Sequence, residues 1–458
     1  MTLQSPDDPI SALATPAASS ALAVIRVSGP GSLRLLSPLV DGGFDPSGAR
    51  GHTVHRCVLK DGAEPVDEVL LAVYRAPRSF TGEDSAEIFC HGSLPVISHL
   101  LSLLERGGFR PAGPGEFTQR AFLNGRMGLT QAEAVNEIVR ARTDRARGLA
   151  LQRLGGAIED RIRRVRELLV DLRASLEIQI DYAEDRDADT LDDGGPEGVD
   201  AGKLAQAGEM LRALVRTYRQ GRVYQEGATV AIAGCTNAGK SSLFNLLLRQ
   251  DRAIVSDVHG TTRDWLEATA SIEEIPVRLI DTAGLRESAD PLESEGIRRT
   301  RGLISSADAV LYLVDGSRGL QDDDRRFLES WDGPGALVCA WNKSDLPSTA
   351  VAPAGFLPVS AVTGQGLQEV GQAVAAAALG GAPVDGSQPL VDSERQRDLL
   401  VRALDALGRL GRAAGSGATP DLLAVDLADA LDALGEITGE VTSAEILDRM
   451  FSRFCVGK

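Results

Sequence analysis

Short apolar segments separated by glycine, proline and aspartate fill the first ninety residues of the chain. They lie at 21–27, 52–59, 68–75 and 85–92, and their apolar residues are mainly valine, leucine, alanine and isoleucine. Short β-favouring runs between clusters of turn-forming residues are typical of strands. The pattern therefore predicts an N-terminal domain that is built mainly of strands.

The spacing of apolar residues then changes to three and four positions, which indicates helices. It predicts one helix at 94–104, a long helical stretch at 130–182 and a further helix at 201–220. Residues 183–200 are acidic and glycine-rich, so we expect an exposed connection there.

From residue 228 the chain alternates apolar strands with glycine-containing loops and helices, which predicts a parallel sheet with helices on both faces. The predicted strands are 228–234, 277–281, 309–315, 336–342 and 355–361. Helical spacing returns after about residue 390 and gives one apolar stripe, formed by Leu399, Leu400, Leu404, Leu407 and Leu410.

Neither helical flank is large enough to close a core alone, so we expect the α/β unit to be inserted into one helical domain. The predicted fold class is multidomain, α+β and α/β. The predicted limits are 1–122 for an N-terminal α+β domain, 123–223 and 381–458 for the two helical segments, and 224–380 for the inserted unit.

Length and charge change this picture little, but they exclude some functions. At about 150 residues per domain, 458 residues predict roughly three domains. The 48 basic and 65 acidic residues give a net charge of −17, which disfavours a broad phosphate-binding surface. We therefore expect any nucleic acid to be bound locally or through a partner.

Cysteine usage and the absence of long apolar runs predict a cytoplasmic protein. The five cysteines show no CxxC spacing, which argues against a disulfide framework and a zinc site. No export signal and no segment of membrane-spanning length are evident, so we expect no membrane association.

The sequence GCTNAGKS at 234–241 directly follows an apolar strand and fits the pattern GxxxxGK[ST]. Main-chain N–H groups of such a loop surround phosphates, Lys240 supplies charge to the outer phosphates, and the Ser241 hydroxyl can bind Mg²⁺. A simple glycine turn is the alternative. The strand, loop and helix context favours a phosphate loop.

Two further motifs follow at strand ends in the order expected for a GTPase. Asp281 begins DTAG and would lie near the metal ion, with Gly284 near the terminal phosphate. In NKSD at 342–345, the Asp345 carboxylate can accept hydrogen bonds from the ring N–H and amino group of guanine, whereas adenine offers no matching donors. We expect a Ras-like P-loop GTPase domain, with Ser360 and Ala361 behind the base.

The sequence leaves open which residues promote hydrolysis. Thr262 in SDVHGTTRD is the candidate second protein ligand of Mg²⁺, while Leu285 occupies the position of the water-orienting glutamine in Ras-like enzymes. Two mechanisms for promoting hydrolysis remain open. Asn237 can help to hold a monovalent cation, or an acid at Glu287, Glu293 or Glu295 can orient the water.

Motifs along nearly the whole chain resemble those of the MnmE (TrmE) family of tRNA modification GTPases. They are TGED at 81–84, CHG at 90–92, PGEFTQRAFLNGR at 114–126, LTQAEAV at 129–135, GTTRD at 260–264, DTAGLRE at 281–287 and FCVGK at 454–458. The resemblance implies a homodimeric, potassium-stimulated GTPase that works with the FAD-dependent MnmG (GidA) protein.

That resemblance also implies a reaction. The two proteins add an aminomethyl or carboxymethylaminomethyl group to carbon 5 of the wobble uridine of certain tRNAs. The one-carbon donor is 5-formyl- or methylene-tetrahydrofolate, and GTP hydrolysis drives GTPase-domain dimerisation and a conformational change. The N-terminal domain is accordingly expected to bind folate.

Site residues follow from the resemblance by matching motifs. Glu293 would orient the water, Arg286 would support the mobile loop, and Cys455 would take part in the modification reaction. The expected metal ligands are Ser241 and Thr262 for Mg²⁺, and Asn237, Ser256, Val258 and Thr261 for K⁺. The expected folate-binding residues are Arg26, Glu87, Arg126 and Lys458. The expected GTP-binding residues are Asn237, Ala238, Gly239, Lys240, Ser241, Ser242, Ser256, Asp257, Val258, His259, Gly260, Thr261, Thr262, Asp281, Thr282, Ala283, Gly284, Asn342, Lys343, Ser344, Asp345, Ser360, Ala361 and Val362.

The chain also departs from the family pattern in places. Cys235 and Thr236 stand where arginine and proline are usual, Gly128 stands where aspartate is usual, and residues 17–21 replace a glycine-rich loop that carries an arginine. None of these changes removes an expected nucleotide ligand.

Two other functions also fit parts of the sequence. A ribosome-assembly GTPase would bind RNA directly, and its support is the arginine-rich run that comprises Arg140, Arg142, Arg145, Arg147, Arg153, Arg161, Arg163, Arg164 and Arg166. A solvated face or a tRNA-facing patch also explains that run. A folate enzyme with a vestigial GTPase unit is the third hypothesis, and the intact nucleotide motifs argue against it.

Overall fold

The computed structural model describes residues 8–41, 43–184, 199–250, 266–281, 306–333, 335–347, 350–381 and 389–458. The chain forms two compact units. The first comprises Met1–Val139, Leu154–Ile162 and Asp432–Lys458, and the second comprises Arg140–Arg153 and Arg163–Leu431.

The helices of the described residues, in chain order, are α1 (Ser32–Leu36), α2 (Leu94–Arg106), α3 (Glu116–Leu123), α4 (Leu129–Arg140), α5 (Asp144–Leu154), α6 (Ala157–Glu184), α7 (Ala201–Glu226), α8 (Lys240–Gln250), α9 (Asp322–Glu329), α10 (Leu367–Leu379), α11 (Glu394–Gly415), α12 (Pro420–Thr438) and α13 (Ala444–Phe451). Short 3-10 turns lie at Ser37–Leu39 and Pro46–Gly48.

The first unit contains a sheet in the strand order β3-β4-β5-β6-β2-β1-β7. Its strands are β1 (Ile10–Leu13), β2 (Leu22–Ser28), β3 (Val40–Asp41), β4 (Thr53–Asp61), β5 (Glu64–Tyr74), β6 (Ser85–His91) and β7 (Arg110–Pro111). Neighbouring strands pair antiparallel except β1 and β7, which are parallel. The predicted strand-rich N-terminal domain is confirmed.

Alternation along β2 gives this sheet two different faces. Ala23, Ile25 and Val27 are buried in a core that also contains residues of α1 and α2. Arg26 is on the opposite face and pairs in register with Glu87 of β6. Period-two alternation thus sends apolar side chains to the core and leaves a charged pair on the other face.

The predicted long helical stretch is interrupted, forming α4, α5 and α6. One break contains Gly156, whose φ of 88° is a left-handed conformation that favours glycine. Within the first unit, Leu129 and Ala132 of α4 pack with Leu447 and Phe451 of α13. A segment before the α/β unit therefore packs against a segment after it.

The second unit contains a sheet in the order β13-β12-β11-β8-β10-β9. Its strands are β8 (Ala228–Gly234), β9 (Leu266–Ile272), β10 (Ile275–Asp281), β11 (Ala309–Asp315), β12 (Ala336–Asn342) and β13 (Leu357–Pro358). Residues of α8 and α10 pack on one face, and residues of α9 pack on the other. The predicted helices on both faces are confirmed.

Two sequence expectations for this sheet were wrong. Strand 355–361 shortens to Leu357–Pro358, where the proline has no N–H for the ladder. The sheet is also not entirely parallel, because β9 was not predicted and pairs antiparallel with β10 at the sheet edge. An edge strand of this kind is common on otherwise parallel sheets.

Helix α7 leads directly into β8, and polar contacts fix their junction. The Arg222 guanidinium lies 2.6 Å from Asp308 Oδ1, and the main-chain N–H of Thr229 donates to Asp308 Oδ2 at 2.8 Å. Arg219 donates to the carbonyl oxygens of Ala377 and Ala378 at the end of α10. The start of the central strand is therefore held by charged groups as well as by its ladder.

The two-residue turn between β9 and β10 is strained. Glu273 and Glu274 have φ values of 49° and 61°, a combination that type I′ turns normally fill with Asn and Gly. A left-handed conformation costs an L-residue about 1–2 kcal/mol. We predict that the double substitution Glu273→Asn, Glu274→Gly raises the free energy of unfolding by about 1 kcal/mol.

Thermal and urea unfolding of the full chain would measure this gain. The matched control is Glu273→Gln, Glu274→Gln, which removes the same charges but keeps the unfavourable backbone. An equal gain in both variants would attribute the effect to charge and contradict the strain argument.

Candidate functional site

The loop between β8 and α8 has the backbone of a phosphate loop. Gly234, Asn237 and Gly239 have φ values of 140°, 63° and 97°, and α8 begins at Lys240. A Cβ on Gly239 would lie 2.2 Å from Asn342 Nδ2, and one on Gly234 would lie 2.2 Å from the carbonyl oxygen of Leu313. The glycines are therefore required both by their backbone angles and by close neighbours.

A cation and a carboxylate are buried beside this loop. Lys240 is 7% exposed, and its Nζ donates to the carbonyl oxygens of Gly234 at 2.9 Å and Cys235 at 2.8 Å. Asp281 is 1% exposed and accepts a hydrogen bond from Ser241 Oγ at 2.8 Å. A hydroxyl and a carboxylate oxygen side by side are hard donors that suit Mg²⁺.

Asn342 joins the phosphate loop to the loop after β13. Its Nδ2 donates to the carbonyl oxygen of Ala238 at 2.7 Å, and its Oδ1 accepts from the N–H of Ala361 at 3.0 Å. The buried Ser360 hydroxyl accepts from the N–H groups of Val362 and Thr363. The predicted phosphate and base elements therefore meet at one edge of the sheet.

The NKSD segment presents its second and fourth side chains differently. Lys343 has a φ of 65°, and its Nζ lies 2.6 Å from Asp315 Oδ2. Burial alone would raise the pKa of Asp315, but bonds from Lys343 and Ser317 outweigh it and leave that pKa below its usual value. The side chains of Asp345 and Val362 are exposed, as is Ser344. An exposed Asp345 is accessible to the base of a nucleotide.

Several predicted residues lie outside the described part of the chain. They are Ser256, Asp257, Val258, His259, Gly260, Thr261, Thr262, Thr282, Ala283, Gly284, Arg286, Glu287, Glu293 and Glu295. Their assigned roles stay predictions. Asn237 and Ser242, by contrast, lie at the described phosphate loop with exposed side chains.

The first unit has its own cavity, of about 200 Å³, on the face of the sheet opposite the core. Arg26 and Glu87 line it and form an ion pair at 2.8 Å between Arg26 Nε and Glu87 Oε1. Tyr74, Phe80 and Phe117 also line the cavity. It thus combines apolar rings with one cation and one anion, which suits a flat, partly charged ligand.

The C-terminal residues reach this cavity. Arg26 Nη1 donates to the carbonyl oxygen of Gly457 at 3.2 Å. The N–H of Phe117 donates to the main-chain oxygen of Lys458, also at 3.2 Å. Burial and the neighbouring Arg26 lower the pKa of Lys458, whereas Glu87 acts in the opposite direction. The structure therefore brings together Arg26, Glu87 and Lys458.

The other two predicted residues of the first unit lie differently. Arg126 is exposed, and its Cγ would lie 3.2 Å from a Cβ on Gly82, so it flanks the TGED loop and does not line the cavity. Cys455 is also exposed, and its carbonyl oxygen accepts from the N–H of Gly115 at 3.2 Å.

Two family models match nearly the whole chain. The model described as GTP-binding protein TrmE N-terminus matches residues 9–126, and the model described as MnmE helical domain matches residues 129–455. The chain belongs to the MnmE family.

Full-length relatives agree with this MnmE-family assignment. The tRNA modification GTPase MnmE of Moorella thermoacetica is 42% identical over 468 residues, which cover 99% of this chain and 100% of the relative. The proteins of the same name from Roseiflexus sp. and Geobacter metallireducens are 42% and 39% identical, and each alignment covers 99% of both chains.

Sequence reasoning missed several residues of this MnmE-family chain. Tyr74, Phe80 and Phe117 carry no motif of their own, although Phe117 lies within PGEFTQR. Asp315 closes the apolar strand β11 in the same way that Asp281 closes β10. That strand-end position was a usable signal for Asp315, because carboxyl ends of parallel strands share one edge.

No helix among the described residues combines the length and apolar character needed to cross a bilayer.

We predict that Asp345→Asn changes the base preference of this chain from guanine to xanthine. Asparagine cannot accept from both guanine donors, but its amide N–H₂ can donate to the carbonyl oxygen that xanthine carries at that position. Fluorescence titrations with GDP and XDP would measure both affinities. The loss of two charge-assisted hydrogen bonds implies that the affinity for GDP falls by at least about a hundredfold.

The matched control is Asp332→Asn, which removes an exposed carboxylate of the same unit that lies outside the NKSD motif. Unchanged guanine preference in Asp345→Asn would contradict the assignment of the base-reading residue.

Proposed function

We propose that this MnmE-family chain hydrolyses GTP and, with an FAD-dependent partner of the MnmG (GidA) type, modifies carbon 5 of the wobble uridine in certain tRNAs. The added group is carboxymethylaminomethyl or aminomethyl. The observation that carries the GTPase part is the pair of hydrogen bonds from the Asn342 side chain to Ala238 and Ala361. These two bonds join the phosphate loop to the base loop.

Ser241 and Asp281 support Mg²⁺ binding at the phosphate end. The Ser241 hydroxyl is the proposed direct ligand, with Thr262 as the second, and Asp281 orients the Ser241 side chain. Bound Mg²⁺ supplies charge neutralisation to the outer phosphates. Lys240, already directed at the loop carbonyls, contributes a second positive charge to the same phosphates.

The proposed hydrolytic device combines a potassium ion with an acid. Asn237, Ser256, Val258 and Thr261 are the proposed potassium ligands, and Glu293 is the proposed water-orienting residue, with Arg286 supporting its loop. Asn237 is exposed on the phosphate loop, so its side chain is accessible to a cation there. We propose that two GTPase units approach each other in a homodimer to complete this arrangement.

The cavity of the first unit is the proposed tetrahydrofolate site. Glu87 can accept hydrogen bonds from pterin N–H donors, while Arg26 and Lys458 can meet the carboxylates of the folate glutamate. Tyr74, Phe80 and other rings provide apolar contact for the pterin. Arg126 is proposed as an outer contact, and Cys455 as a participant in the modification step.

We predict that deleting the encoding gene removes the carboxymethylaminomethyl and aminomethyl groups from wobble uridines. Mass spectrometry of tRNA nucleosides would measure this loss, and the unsubstituted gene should reverse it. Arg26→Gln should restore less of the modification than the unsubstituted gene, because it breaks the ion pair with Glu87 and the hydrogen bond to Gly457.

Arg56→Gln is the matched control, since Arg56 forms an exposed pair with Glu68 in the same sheet and does not line the cavity. An unchanged nucleoside profile after gene deletion would overturn the proposed substrate. Equal behaviour of Arg26→Gln and Arg56→Gln would overturn the folate assignment alone.

We predict that GTP hydrolysis is at least several-fold faster in KCl than in NaCl at equal ionic strength. Asn237→Gly should abolish this difference, because glycine keeps the left-handed backbone but removes the ligand. Thr236→Ala at the neighbouring exposed position is the control. Steady-state phosphate release would measure the rates, and equal rates in the two salts would rule out the potassium device.

A further inference from the structure

A buried carboxylate outside the predicted nucleotide site contacts the phosphate loop. Asp324 of α9 is 1% exposed, and its Oδ1 accepts from Cys235 Sγ at 3.0 Å and from the Tyr312 hydroxyl at 2.9 Å. Its Oδ2 accepts from the main-chain N–H of Gln321 at 3.0 Å. Both oxygens of this carboxylate are therefore engaged.

Two of these three donors belong to the sheet and to the N-terminal cap of its covering helix. Tyr312 is buried on β11 and stacks on Phe327 of α9, with ring centroids 4.4 Å apart. Gln321 and Asp324 form a capping box at the start of α9. Only Cys235, among the three donors, belongs to the phosphate loop.

Cys235 is the single residue that connects the Asp324 carboxylate to the Lys240 ammonium group. Its side chain donates to Asp324, while its carbonyl oxygen accepts from Lys240 Nζ at 2.8 Å and from the N–H of Ala238 at 3.3 Å. A rotation of the Cys235 peptide would therefore displace both the loop and the lysine ammonium.

We propose that Asp324 is a positioning residue for nucleotide binding: it fixes Cys235, and through Cys235 it fixes the phosphate loop and Lys240. This inference rests on the proposed GTP-binding function and deepens it. Asp324 itself does not touch the nucleotide in this proposal, and Cys235 acts as a hydrogen-bond donor.

The chemistry of the cysteine agrees with that role. The thiol of Cys235 carries an S–H group that can donate, and its sulfur lies 3.0 Å from Asp324 Oδ1. A thiol is a weak donor, but an ionised carboxylate is a strong acceptor. Serine at this position would keep the donor, whereas alanine would remove it.

The test compares two variants that each remove one donor to the same oxygen. Cys235→Ala removes the donor on the phosphate loop, and Tyr312→Phe removes the donor on the sheet. Titration of the full chain with a fluorescent GDP analogue would measure affinity, and thermal unfolding would measure stability. A single net hydrogen bond corresponds to about two- to tenfold in an equilibrium constant.

We expect Cys235→Ala to weaken GDP binding by about three- to tenfold and Cys235→Ser to bind within about twofold of the unsubstituted chain. Tyr312→Phe should lower the unfolding temperature but leave GDP affinity unchanged. Asp324→Asn combined with Cys235→Ala should weaken binding by less than the product of the single effects, because both act through one bond.

Some outcomes would overturn the proposal. Unchanged GDP affinity in Cys235→Ala would do so. An equal loss of affinity in Tyr312→Phe would also do so, because the loss would then be explained by lower stability and not by the position of the phosphate loop. Multiplicative effects in the double variant would also contradict it. If the unsubstituted chain fails to bind GDP, the proposed function fails first, which distinguishes that result from a failure of the positioning role alone.

Discussion

The burial of opposite charges at the carboxyl ends of the parallel strands constrains the rest of the second unit. Removing an ion from water costs several kcal/mol unless it finds polar partners. Lys240 finds the carbonyl oxygens of Gly234 and Cys235, and Asp281 finds the Ser241 hydroxyl. These groups come from β8, from the loop after it, from the start of α8 and from β10. They meet only because β8 and β10 are adjacent and in register, with Asp281 opposite Ile232.

The first unit depends on a contact of a different kind, made by residues at opposite ends of the chain. Arg26 and Gly457 are 431 positions apart, yet the arginine donates to the glycine carbonyl oxygen. Gly457 has a φ of 89°, and a Cβ there would lie 2.5 Å from the carbonyl oxygen of Leu13. A residue with a side chain would push the C-terminal segment away from the cavity. Gly457 thus holds Arg26, which is one of the residues that line the cavity.

The sequence predicted best those elements whose signals are local. The strands at 309–315 and 336–342 match because each is a bounded apolar run, and the phosphate loop matches because its glycines meet local backbone demands. Strand β9 was missed because LEATASI is short and mixed in polarity, as suits an edge. Asp324 and Tyr312 carry no sequence motif. Asp324 contacts Cys235, which is 89 positions away in the sequence, and Tyr312 contacts Asp324. Tertiary neighbours of this kind are not visible in spacing or composition.

The attachment of α7 has a consequence for the modularity of the chain. The Thr217 hydroxyl accepts from the N–H of Val391, and Gly221 lies so close that a Cβ there would be 2.1 Å from the Val391 carbonyl oxygen. The polypeptide therefore leaves the helices for the α/β sheet and returns to them at nearly the same place. Domains with adjacent ends can be gained, lost or exchanged without altering their host.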